Sequence, residues 1–152
     1  MILIAQEGFQ VGPHPIAIAV VLGITFVAVV FIFLKILGLK KAVSEGTRLL
    51  EEGKLSEALK LFKQTACDSF GYPRGPFLTR YYQAVDGLDQ AYKKANRIVD
   101  LDPIRQFQKD IEVFLYDKRY VKLMGGFTDE GEAIRKEIHR RFHEAIDNLP
   151  DL

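Results

Sequence analysis

The hydrophobic and polar positions of this chain change rhythm once, and that change divides it. Residues 16–34 read IAIAVVLGITFVAVVFIFL, nineteen positions without a charge, with Thr25 the only polar side chain. From residue 42 onward the apolar residues recur at intervals of three and four, the pattern of amphipathic helices. As a helix rising about 1.5 Å per residue, the first stretch spans roughly 28 Å, close to the hydrocarbon thickness of a bilayer. Fourteen of its residues are Leu, Ile, Phe or Val, which together favour insertion by about 4–8 kcal/mol. A buried strand would carry similar residues, but strands seldom exceed about ten positions. A lone helix also satisfies its backbone in lipid, and a lone strand does not. The pattern predicts an all-α protein: a tail over 1–15, a transmembrane helix over 16–39 and a small helical domain over 40–152.

Within the domain the period places the elements. Ala42, Val43, Gly46, Leu49 and Leu50 share one helical face, and Gly53 ends that helix. Ser56 is the expected cap of the next, whose stripe is Leu55, Ala58, Leu59, Phe62 and Ala66. Gly46 and Ala58 are the small residues at which the two helices are expected to approach. Residues 70–77, FGYPRGPF, form a loop by their two Gly and two Pro. Residues 77–101 read as one long helix with the seam Leu78, Tyr81, Val85, Leu88, Tyr92, Ala95 and Val99, and with Gly87 as a weak point. Asp102 and Pro103 open a helix carrying Ile104, Phe107, Ile111, Phe114, Leu115 and Val121, closed by Met124, Gly125 and Gly126. A last helix runs from about Asp129, with Glu132 in a capping box, to Asn148; its stripe is Ile134, Ile138, Phe142, Ala145 and Leu149.

The first hairpin resembles a tetratricopeptide repeat. Gly46, Leu49, Gly53, Leu55, Ala58, Leu59 and Phe62 fall on the small and large positions of that helix pair, over about 30 residues. Gly87 follows Gly53 by 34 residues and Asp102-Pro103 stands where a repeat often ends, but Ala95 occupies a position where the repeat has an aromatic. The resemblance implies one helical hairpin used for protein contact. The same segment is also similar to the start of proton-channel subunits of the MotA/TolQ/ExbB family. Those have further membrane spans that this chain lacks, so no channel activity is implied.

Charge sets sidedness. Lys35, Lys40, Lys41 and Arg48 follow the apolar stretch, whereas the tail carries only Glu7. The positive-inside rule therefore expects the tail outside and the domain in the cytoplasm, on the inner membrane of the cell. A leader without Lys or Arg and without an Ala-x-Ala site is expected to remain as an uncleaved anchor. The net charge of +1 gives no basic footprint for nucleic acid. The single cysteine, Cys67, allows no disulfide framework within the chain.

Candidate chemistry is sparse. His139 and His143 are spaced to share a metal, but Arg140 stands where a zinc protease needs Glu, so a surface pair is expected. Cys67 reads as a packed residue, Gly125-Gly126 lacks the Lys of a phosphate loop, and His14 reads as solvated or at headgroup level. No enzyme activity, metal or cofactor is expected. Tyr72, Arg74 and Phe77 are of residue types enriched where proteins bind, although the same aromatics would serve to plug the end of the core. Ala19, Gly23 and Val27 lie on one face of the span, where small residues admit a neighbouring helix. Lys118, Arg119, Lys122, Arg135, Lys136, Arg140 and Arg141 are interleaved with acids. They are expected to be a solvated face, with contact to anionic lipid as the competing use. The chain thus reads as a scaffold or accessory subunit that contacts the lipid bilayer and other membrane-complex proteins. The competing reading is a small subunit held in a larger motor, transport or electron-transfer complex mainly through its membrane helix.

Overall fold

The structure, a computed structural model, describes residues 15–122 and 125–152. The tail with Glu7 and His14, and also Met124, lie outside the described residues. Five helices follow one another: α1 (Pro15–Glu51), α2 (Leu55–Ser69), α3 (Gly75–Lys94), α4 (Asp102–Tyr116) and α5 (Asp129–Asp147). The protein is all-helical, a long apolar N-terminal helix followed by a small helical domain. It divides into two compact units, one up to Lys35 and one from Ile36 to Leu152.

In the first unit α1 is long and apolar enough to cross a membrane. Every side chain from Ile16 to Leu34 is exposed. Thr25, the one hydroxyl, donates to the Val21 carbonyl at 2.8 Å and so needs no partner outside its own helix.

In the second unit the end of α1 belongs to the core. Gly46, Leu49 and Leu50 are buried, as are Ala58, Leu59, Phe62 and Ala66 of α2. α2 packs along α3, and α4 packs on α3 and α5. The predicted meeting point of Gly46 and Ala58 takes a different form. Gly46 receives the ring of Phe62, one turn farther along α2, and the same ring lies against Gly87 of α3. Gly87 is thus no break, and α3 passes through it unbroken.

Helix ends depart from the expectations in ways that local hydrogen bonds explain. α1 closes as foreseen: Gly53 takes φ +76°, and the amides of Gly53 and Lys54 donate to the Leu50 and Leu49 carbonyls. α2 begins at Leu55 without a side-chain cap, so Ser56 does not play that part. α3 stops at Lys94, not at 101. Asn96 adopts φ +54°, and the amides of Asn96 and Arg97 close the helix on the Lys93 and Tyr92 carbonyls, a left-handed cap that Asn tolerates. α4 ends at Tyr116, and Val121 instead bridges Phe127 in an antiparallel turn through Gly125 and Gly126. Thr128, not Asp129, caps α5 by accepting from the Gly131 amide at 3.1 Å. Glu132 lies one position past the capping box and binds Arg135. The chain beyond α5 lies over the domain, with Lys63, Tyr92 and Arg97 donating to the carbonyls of Leu149, Pro150 and Asp151.

Candidate interaction surface

The loop between α2 and α3 is held from below by one buried amide. Gln108 of α4 is fully buried, a polar residue on the face that carries Ile104 and Ile111. Its Oε1 accepts from the Gly71 amide at 3.2 Å, and its Nε2 donates to the Tyr72 carbonyl at 3.0 Å and to Glu112 at 3.1 Å. Sequence reasoning passed over Gln108, because a lone polar residue inside an apolar period reads as a gap in the stripe. Its position at the centre of that stripe was the available signal.

Gly71 cannot be replaced without strain. Its φ is +86°, and a Cβ there would stand 3.1 Å from the His139 imidazole. His139 sits edge-on to Phe70, whose ring stacks on Phe142 at 3.7 Å between centroids. It is therefore half-buried in the aromatic core, not one of a surface pair, while His143 is exposed. Burial first, then Arg135 and His143, push the His139 pKa below its ordinary value of 6.5. Cys67 is half-buried on α2, and burial raises its thiol to about 11. Among the described residues no group of three or more His, Cys, Asp or Glu side chains is placed to hold a metal ion.

Above this base the three residues separate into different roles, and the loop itself ends at Arg74, since α3 already starts at Gly75. Phe77 is buried and stacks on Tyr72, with centroids 4.1 Å apart. Tyr72 keeps 39 % of its surface exposed. Arg74 is exposed and lays its guanidinium over the ring of Tyr116, 4.7 Å from the centroid. Phe77 therefore plugs the core from the first turn of α3, not from the loop, and the loop presents Tyr72 and Arg74 outward. Tyr116 and, one turn before it on α4, Val113 are exposed, at 51 % and 73 %.

The other candidates are placed less suggestively. A cleft of about 460 Å³ opens at the first turn of α2, lined by Lys54, Ser56, Arg97 and Leu152 among others. Its cations are engaged, Lys54 with Glu52 and Arg97 with the Asp151 carbonyl. On α5, Lys136 and Arg135 bind Glu132, and Arg140 binds both Glu137 and Glu144. Arg141 lies over the ring of Phe107. Arg119 chelates Asp117, and Lys118 and Lys122 are exposed. On α1, Ala19, Gly23 and Val27 are all exposed, and a Cβ at Gly23 would touch nothing within 4 Å.

No protein-family model, curated protein or solved structure matches the chain.

Proposed function

We propose that this is a single-pass membrane protein whose helical domain acts at the cytoplasmic face as a scaffold or accessory subunit, holding a partner protein. The observation that carries the reading is the pairing of two features. Nineteen uncharged residues of α1 are exposed from end to end, and the domain presents an exposed surface of Arg and aromatic side chains on a braced loop. The first needs lipid to cover it. The second has the composition of protein-binding hot spots. Lys35, Lys40 and Lys41 after the span support the cytoplasmic placement, and the helical hairpin with its tetratricopeptide-like pattern suits a binding role.

One observation favours the second reading, a subunit bound mainly within the bilayer. The Gly23 position leaves an open notch flanked by Ala19 and Val27, into which another helix backbone would fit. Purification of the full chain in mild detergent, with mass spectrometry of what accompanies it, separates the two. Loss of the partner on the double change Tyr72→Ala, Arg74→Ala supports the scaffold. Loss on Gly23→Leu alone replaces it with the embedded subunit.

A further inference from the structure

Residues 149–152, beyond α5, are bound to the domain largely through their backbone. Leu149, Pro150 and Asp151 offer three successive carbonyls, and a different part of the fold meets each one. Lys63 Nζ of α2 donates to Leu149 at 2.7 Å, the Tyr92 hydroxyl of α3 to Pro150 at 2.6 Å, and Arg97, just past α3, to Asp151 at 2.7 Å. Main-chain oxygen is something any peptide supplies. Side chains enter at three points only: Leu149 is buried, the Asp151 carboxylate lies 3.4 Å from Lys63, and Leu152 is half-buried.

The seat is larger than its occupant. The cleft of about 460 Å³ has Leu152 on its wall, and a second of about 400 Å³ is lined by Leu59, Lys60, Lys63 and Asp151. Ser56 lines both, so the two adjoin at the first turn of α2. The segment itself aside, Lys54, Lys60, Lys63 and Arg97 line these clefts against Glu57, with Glu52 paired to Lys54. The cations outnumber the acids, and Asp151 offsets only part of the excess.

We propose that this seat is a docking groove for a short non-helical segment of a partner protein, apolar at one position, acidic two residues later and apolar again at the next. Residues 149–152 occupy it in cis until such a segment displaces them. The site is separate from Tyr72 and Arg74 and goes beyond the scaffold reading. A second copy of the chain carries the same four residues but has little reach: Asn148 still caps α5, Ile146 is buried in its own core, and four extended residues cover at most about 14 Å. A segment tethered so closely competes at a local concentration on the order of millimolar, so an incoming segment enters only by binding better than that.

The test uses the full chain in nanodiscs of phosphatidylcholine and a fluorescent peptide with the sequence of residues 147–152, read by anisotropy. Two variants free the seat: a chain stopped after Asn148, and Asp151→Lys at full length, which keeps Leu149 in the core. Each should bind the peptide about tenfold or more tighter than the unmodified chain, weakening as salt is raised. Adding Lys63→Ala or Arg97→Ala to Asp151→Lys should cost about tenfold, the worth of one charge-assisted hydrogen bond. Arg140→Ala is the unaffected control, circular dichroism verifies the fold, and if the shortened chain does not fold Asp151→Lys decides alone. Equal affinity in the unmodified and freed chains, no binding to a folded freed chain at millimolar peptide, or indifference to both Lys63 and Arg97 overturns the proposal. So does pairing of differently tagged freed chains in place of peptide binding, which would make the groove a contact between two copies. None of these measurements involves the Tyr72 and Arg74 surface, so the scaffold reading stands or fails separately, by what accompanies the unmodified chain through purification.

Discussion

The ring of Phe62 rests on the backbone of Gly87, so close that a Cβ there would stand 2.5 Å from two of its carbons. The ring has no room to withdraw, since its other contact is Gly46, where a Cβ would come within 2.6 Å. Two glycines on different helices thus form the walls of one slot, and one large side chain fills it.

Gly87→Ala is accordingly expected to destabilise the domain, although Ala is the better helix former by about 1 kcal/mol. Overpacking a core that cannot relax costs about 1–3 kcal/mol, towards the upper end where both walls of the slot are backbone, so the net loss should reach up to about 2 kcal/mol in chemical denaturation. Combined with Phe62→Leu, the cost should fall short of the sum of the single changes by about 1 kcal/mol. Additive losses would show that ring and glycine do not meet.

Replacing Gln108 by Leu keeps the volume of the core and removes three hydrogen bonds. The Gly71 amide and Tyr72 carbonyl then lose their partner, at a cost of about 1–3 kcal/mol. Amide hydrogen exchange should show faster exchange at Gly71 than in the unmodified chain, with α5 unchanged. An unaltered Gly71 would mean that the loop braces itself.

His139 gives a pH signature of known sign. Its pKa is lowered on folding, so near and below pH 6.5 the unfolded chain binds more protons than the folded one. Stability should therefore fall as pH drops through the ordinary histidine range, and level off once the folded imidazole is also protonated. Glu132 on the same helix opposes this shift, and Arg135 and His143 reinforce it. In His139→Gln the loss of melting temperature between pH 7 and pH 5 should be smaller than in the unmodified chain. An identical decline would assign the effect to the carboxylates.

The topology is checked by labelling. With Cys67 changed to Ala, a cysteine at Glu7 should react with a membrane-impermeant maleimide in intact cells, and one at the exposed Glu144 only after lysis. The reverse pattern would place the domain outside.

What the sequence made legible, and what it hid, follow from range. The stripes of α2 and α5 and the apolar run of α1 are periodic signals that packing enforces along a whole face, and they are where the period puts them. Ile146 is buried although Ala145 reads equally well beside it, since the period alone does not choose between adjacent positions. The end of α3 was hidden because Val99 continues the seam while Asn96, a single residue in a left-handed conformation, stops the helix. Val121 misled in the same way, its apolar character serving a bridge to Phe127 rather than another turn of α4. Arg74 on Tyr116 and Gln108 beneath Tyr72 join residues 36 or more positions apart, and no local pattern announces such pairs. The loop's residue types were visible in the sequence; which of them face outward was not.

The burial of Leu39, Gly46, Leu49 and Leu50 bears on how the protein is made and how it is destroyed. α1 leaves the ribosome before α2 and α3, and its last turns wait as an unfinished part of a core until those helices are synthesised. Proteolysis near residue 36 would leave every part of that core in one fragment. A cut after Glu51 would strip Phe62 of one wall of its slot and expose what remains to the machinery that clears misfolded chains.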